Sequence, residues 1–284
     1  MNIGIVGGGL TGLVTGYGLC KRGHSVMLFE AGPEPGGQVA TINIGGGRVE
    51  KLYHHIFTSD LDIISIINEL GLGQSLQWLD SKVAFFAGNQ LHDFVTPMDL
   101  LRFNAIGLID RFRLGLVGLY LQRHSDWRKF EHIAAKDWIT KYAGKSNYEA
   151  VWGPLLKGKF GESAGDVGMV WFWGKIHQRF ASRGEGMQRE KLGYLAGSFG
   201  LLVDALVKGI ADAGGVVRTN CAVKRIFIEG SKAVGLEAGS GGEKLPFDAI
   251  VATVPSPVLL RLAPELPNDY AARLRLARYQ AALC

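Results

Sequence analysis

Apolar residues run together from Ile3 to Val6, give way to three glycines, and return at helical spacing between Leu10 and Cys20. A second compact apolar run, Val26 to Phe29, follows His24-Ser25. Short apolar runs bounded by turn residues predict buried strands, and the longer periodic stretch between them predicts a helix. Further along, Asp60 to Gly71 has helical spacing with Ser59 or Asp60 as its cap, and Val83–Phe86 with Gln90–Phe94 flank Gly88-Asn89 as a hairpin. From Pro97 to about Phe180 the pattern is mainly helical and aromatic. Phe199 to Asp212 then forms an amphipathic helix closed by Gly214-Gly215, and Val216–Arg218 begins a strand. Ala222–Ile228 and Ala233–Glu237 suggest a second hairpin, and Asp248–Val254 a buried strand stopped by Pro255 and Pro257.

The chemistry at the first turn gives this pattern a meaning. The turn reads Gly7-x-Gly9-x-x-Gly12, and Glu30 closes the second strand 18 residues beyond Gly12. Gly7 permits a tight turn, Gly9 lets a pyrophosphate approach the backbone, and Gly12 lets helix and strand pack closely. The N–H groups at the helix start then face the diphosphate, and the Glu30 carboxylate is placed for ribose hydroxyls. This is the front half of a dinucleotide-binding βαβ unit.

The residues after Glu30 narrow the nucleotide. The run Glu30-Ala-Gly-Pro-Glu-Pro-Gly36-Gly37-Gln38-Val-Ala-Thr41 resembles the second fingerprint of the FAD-dependent amine oxidase superfamily, which includes protoporphyrinogen oxidases and phytoene desaturase-like carotenoid desaturases and, more distantly, UDP-galactopyranose mutases. Gly36, Gly37 and Thr41 match its Gly-Gly-Arg-x-x-Ser/Thr pattern, while Gln38 stands where Arg is usual. The likeness continues through Tyr53-His-His-Ile, Leu155-Leu-Lys-Gly-Lys-Phe-Gly161, Trp171-Phe-Trp, Tyr194–Leu206, Cys221-Ala-Val223 and Phe247–Thr253. The resemblance implies an α/β fold: a discontinuous FAD-binding Rossmann-like βαβ domain, 1–80 and 190–258, with an inserted mainly helical substrate domain, 81–189 and 259–284. It implies FAD contacts from Gly7, Gly9, Leu10, Thr11, Gly12, Glu30, Ala31, Gly36, Gly37, Gln38, Thr41 and the Val223 backbone. It places Tyr53, His54 and His55 beside the isoalloxazine, as candidates for substrate contact or proton handling, with backbone bonding or solvent exposure of the imidazoles as the plain alternative.

The activity implied is FAD-dependent hydride removal from a hydrophobic or cyclic small molecule. The alternatives are a non-redox flavoenzyme like UDP-galactopyranose mutase and a flavin-binding protein without turnover. Lys157 and Lys159 are candidates for an anionic substrate group or for an ordinary solvated turn, and Trp171–Trp173 for a pocket wall or for core packing. Arg179 to Lys191 reads as a surface loop or lid. Relatives of this kind continue for well over a hundred residues, so the stop at Cys284 gives the expectation of a chain cut short, with an incomplete flavin pocket.

Composition excludes other classes. Glycine occupies 40 of 284 positions, about double the usual ~7%, without a collagen-like period. Gly16 and Gly18 inside the first helix cost about 1 kcal/mol each against Ala, which suggests close packing there. A net charge of +5 with no basic run gives no support to nucleic-acid binding. Cys20, Cys221 and Cys284 form no CxxC, the seven histidines form no HExxH, and no metal is expected. The absence of a basic, apolar leader gives a cytoplasmic expectation. The apolar segment Ala105–Leu121 carries Asp110, Arg111 and Arg113. These oppose membrane insertion by roughly 8–10 kcal/mol against about 4 kcal/mol from its aliphatic and Phe residues. It reads as a helix of the substrate domain or as a monotopic patch at the inner face of the membrane, with Arg102, Arg123, Arg128 and Lys129 near headgroups.

Overall fold

The computed structural model describes residues 1–82, 84–87, 89–94, 96–181 and 190–279, which fall into two compact units. The first comprises Met1–His54, Asp62–Gln77 and Tyr194–Cys284, and the second His55–Leu61 and Trp78–Gly193.

The first unit is built on β1 (Asn2–Val6), α1 (Leu10–Lys21) and β2 (Ser25–Phe29). Strands Val216–Arg218, β2, β1 and Ala249–Ala252 lie side by side in that order, all parallel. Parallel sheets are covered on both faces, which explains the unbroken apolar runs at Ile3–Val6 and Val26–Phe29. On one face α1 and the helix Gly200–Asp212 pack together, and a Cβ on Gly16 would lie 3.2 Å from Ile210 and 3.4 Å from Ile5. Gly16 therefore has the packing role expected of it. Gly18 does not, since a Cβ there would meet only the Arg22 guanidinium.

On the other face sits an antiparallel sheet of Val223–Glu229, Lys232–Ala238 and Glu243–Pro246. The third of these strands is absent from the sequence expectation because Glu243-Lys244 interrupts its apolar pattern. Val6, Phe29, Ile226, Leu236, Phe247 and Leu262 form the core between the layers, with Phe29 edge-on to Phe247 at 6.1 Å. Leu262 and Ala263 bury in this same core. Residues 259–279 therefore group with the α/β unit, differing from the expectation that they join the helical part.

After β2 the chain makes a hairpin of β3 (Thr41–Ile44) and β4 (Gly47–Glu50). Gly45 and Gly46 turn it with φ of 58° and 82°, the left-handed values a two-residue hairpin turn needs. Alternation along β4 sends Arg48 and Glu50 to one side. Arg48 Nη1 donates to Asp204 at 2.5 Å, and the Glu50 carboxylate accepts from the Phe199 N–H at 2.6 Å and the Tyr194 hydroxyl at 2.9 Å.

The second unit is mainly helical, as its sequence predicts. Its helices include Pro97–Arg102, Leu108–Arg123, Ala135–Tyr142, Gly153–Phe160 and Met169–Ala181. Phe130, Trp138, Ile139, Leu156, Met169 and Phe172 pack into its core. Phe172 is thus a core residue, and the Trp173 indole N–H donates to the His124 carbonyl at 2.8 Å. Lys157 and Lys159 belong to a helix and not to the solvated turn expected as one alternative. The hairpin expected around Gly88 forms from Ala84–Ala87 and Gln90–Asp93, with Val83 and Gly88 outside the described residues. Of the expected surface loop, Arg179 lies in the last turn of the helix Met169–Ala181 and Lys191 begins a strand, while residues 182–189 lie outside the described residues.

Candidate cofactor site

The turn between β1 and α1 is shaped by what its residues lack. Gly7 has φ +109° and a Cβ there would stand 2.8 Å from Thr253 Oγ1. A Cβ on Gly12 would lie 2.0 Å from the Gly7 carbonyl oxygen, an impossible approach. Gly12 is therefore required by the turn's own backbone. Gly9 is different: a Cβ would meet only Gly37 Cα at 3.9 Å, so the space above it is open. Gly9 is also the N-cap of α1, and no side chain caps this helix. The first-turn N–H groups, including those of Leu10 and Thr11, remain available to an anion. Open space over uncapped amides fits a diphosphate, and a side chain at residue 9 would occupy it.

The second glycine pair closes on the first. Gly36 N–H donates to the Gly8 carbonyl at 2.8 Å, and Gly9 and Gly36 form an isolated parallel bridge. A Cβ on Gly37 would come within 3.0 Å of Gly9 Cα. Gly37 also has φ +57° and Gly36 φ +129°, so neither position suits an L side chain. Gln38 follows, exposed, in the short helical turn Gly37–Val39.

Glu30 ties the turns together. Its Oε2 accepts from the Gly8 N–H at 2.8 Å and its Oε1 from the Gly32 N–H at 2.7 Å. Each oxygen keeps further acceptor capacity for ribose hydroxyls. Its backbone is stitched to the later chain, for Glu30 N–H donates to the Arg218 carbonyl at 2.8 Å and Cys221 N–H to the Glu30 carbonyl at 2.9 Å. Val223, two residues on, opens its strand opposite Ala238. Gly8 is a site residue that the sequence reading passes over, because the fingerprint leaves that position free. A Cβ there would be 2.9 Å from Glu30 Cβ and Oε2. The spare glycine in Gly7-Gly8-Gly9 was the available signal.

Thr41 is buried and accepts from Arg48 Nε at 3.2 Å. Beside it a cleft of about 390 Å³ is lined by Glu34, Pro35, Asn43, Arg48 and Asp204. Arg48 supplies a cation near the second glycine turn, where Gln38 does not. Its place two residues before Glu50 on a strand is what brings it to that face.

The three candidates for chemistry have unlike surroundings. Tyr53 is 71% exposed. His54 donates from Nδ1 to the Leu52 carbonyl at 2.6 Å and lies edge-on to Phe199, and its Nε2 has no hydrogen-bond partner among the described residues. His55 is half-buried, 4.9 Å from the Phe57 ring and perpendicular to it. Burial, together with the charges of Arg179 and Lys175, holds its pKa below the usual imidazole value, partly offset by Glu190 and Asp60. Among the described residues no group of His, Cys, Asp and Glu could hold a metal ion.

Comparison with known proteins agrees with this geometry. Residues 10–283 match the family described as flavin containing amine oxidoreductase. The chain is 26% identical over 284 residues to 15-cis-phytoene desaturase of Capsicum annuum, covering 93% of this chain and 48% of that protein. It is 22% identical over 200 residues to mitochondrial protoporphyrinogen oxidase of Nicotiana tabacum, covering 67% and 39%. A solved structure of a putrescine oxidase triple mutant, made in a redesign of cofactor binding, superposes with a TM-score of 0.75 at 16% identity, over 96% of this chain and 62% of that one. The chain spans about half the length of the desaturase.

Glu30→Ala removes the acceptor for two backbone N–H groups, each bond to a carboxylate contributing about 1.5–3 kcal/mol. Titration with FAD is expected to show affinity weakened at least tenfold, and thermal unfolding a lower midpoint. Gly9→Val leaves the protein's own contacts intact and is expected to abolish FAD binding without lowering that midpoint appreciably.

Proposed function

The chain belongs to the flavin-containing amine oxidoreductase family, and we propose that it is part of an FAD-dependent oxidoreductase acting on a largely apolar or cyclic small molecule. The observation that carries this reading is the open space over Gly9 at the uncapped start of α1, held in place by Glu30. Bound FAD supplies the hydride acceptor, and the protein supplies binding, orientation and proton handling. In this reading Gly7, Gly9, Leu10, Thr11 and Gly12 hold the diphosphate through backbone amides. Glu30 and Ala31 meet the adenosine ribose, the Val223 backbone meets adenine, and Gly36, Gly37, Gln38 and Thr41 border the diphosphate and the chain that leads to the flavin.

His55 is the proposed proton acceptor. Its lowered pKa keeps the imidazole neutral near pH 7, ready to take a proton from a substrate as hydride leaves. His54, with Nδ1 spent on a carbonyl, and the exposed Tyr53 are proposed for substrate contact.

The helix Leu108–Arg123 supports a membrane-surface location. Among the described residues no helix is long and apolar enough to cross a membrane. Yet the outward face of this one carries Ile109, Phe112 and Leu116 at 84, 57 and 68% exposure, together with Tyr120. The opposite face is apolar too, burying Leu114 and Leu121. Exposed Arg102, Arg123, Arg128 and Lys129 flank the stripe and match anionic headgroups. An apolar substrate dissolved in lipid would be reached from such a position.

Two measurements test these readings. In the flavin-loaded protein, anaerobic bleaching of the flavin band by an oxidisable substrate is expected, with a rate that rises with pH through an apparent pKa below the imidazole value of about 6.5. That pH step should vanish in His55→Gln. A requirement for dithionite with a nucleotide sugar would instead indicate non-redox chemistry. In flotation with vesicles containing anionic lipid, the protein is expected to rise with the lipid, and Ile109→Ser with Leu116→Ser to remain behind. Equal flotation of both proteins would remove the membrane reading.

A further inference from the structure

Within the second unit, positive charge gathers around His55 and Phe57. Lys175 and Arg179 stand one turn apart on the helix Met169–Ala181 and share a face. The Lys175 ammonium lies 5.9 Å from the Phe57 ring centroid, and the His55 ring packs edge-on to that same Phe57. Lys159, on the helix Gly153–Phe160, holds its ammonium 5.8 Å from the Trp171 ring. Electrostatically these groups form one set: Lys159 and Arg179 both push the Lys175 ammonium toward its neutral form, adding to the effect of burial.

The acids nearby are already engaged. Asp60 accepts from the Phe57 N–H at 2.9 Å, and Glu190, almost fully buried, pairs with Arg179 at 3.1 Å. Lys175 donates to the Gln178 side-chain oxygen at 3.2 Å and has no carboxylate partner among the described residues. Among the described residues, three cations against two acids leave one half-buried positive charge beside an aromatic ring. Such a charge is costly unless an anion meets it.

We propose that Lys175, with His55 and Arg179 beside it, forms a binding site for a single carboxylate carried on an aromatic or otherwise apolar body. One unmatched charge suits a monoanion, and a diphosphate would bring more negative charge than the cluster can neutralise. Phe57 is itself buried, and the apolar surface open to a ligand is the partly exposed Trp171 ring beside Lys159. A substrate recognised here is an apolar acid, held by its carboxylate near the imidazole proposed to accept a proton. That use rests on the oxidoreductase reading above, whereas the anion site stands on the cluster alone.

The full chain without flavin, titrated with benzoate at constant ionic strength and followed by the NMR resonance of the His55 ring, tests the site. Saturable binding is expected, with the His55 pKa rising as a negative charge arrives beside the imidazolium. Lys175→Gln should weaken benzoate at least about tenfold, and Lys175→Arg should retain most of the affinity, which separates a binding role from a folding role. An identical response to chloride, no movement of His55, or unchanged affinity in Lys175→Gln would overturn the proposal. FAD titration of the same samples reads the flavin site independently, so either reading can fail while the other stands.

Discussion

The Glu30 carboxylate is the interaction on which the α/β unit's functional end depends. It sits at the C-terminal tip of β2 and accepts from Gly8 on one side and Gly32 on the other. Two loops that would otherwise splay apart are thereby held to one strand end. The parallel sheet makes this feasible, since β1 and β2 run in register from Asn2–Ser25 to Val6–Phe29 and deliver both turns to the same edge. Ligands of open parallel sheets bind outside the carboxyl ends of the strands for this reason.

The remaining pieces converge on the same edge from distant sequence. Strand Val216–Arg218 extends the sheet beside β2, and the chain beyond it bonds to Glu30 and Gly32 through Cys221 and Asn220. Strand Ala249–Ala252 pairs with β1 on the other side and brings Thr253, whose hydroxyl donates toward the Val6 and Gly7 carbonyls at 3.1 Å. A turn with two left-handed or closely crowded glycines is thus braced by residues more than two hundred positions away. The site is preorganised by tertiary structure, and the fingerprint supplies only the absence of side chains.

Much of this was legible in the sequence because its physical causes are local. Continuous apolar runs mark strands buried on both faces, and Gly7, Gly9 and Gly12 mark a backbone that admits no Cβ or needs open space. The end of the helix Gly200–Asp212 was legible too, as Gly214 at φ +79° and the bond from Gly215 N–H to the Ile210 carbonyl satisfy its last turn. What could not be read depends on partners remote in the chain. Gly8 is constrained by Glu30, and Arg48 acquires its role from Thr41 and Asp204, which no periodicity links to it. Residues around Leu262 looked like part of a helical layer, and only the core they enter assigns them to the α/β unit. The charge cluster at Lys175 is invisible for the same reason, being assembled from two helices and from His55 just ahead of a short strand.

The contacts found here belong chiefly to the adenosine and diphosphate end of a dinucleotide, which makes a competition experiment the most direct test. With FAD bound to the full chain, ADP is expected to displace it, while FMN at equal concentration leaves it in place. Displacement by FMN and not by ADP would contradict the account, since recognition would then reside in the flavin half and not in the turn that Glu30 holds together.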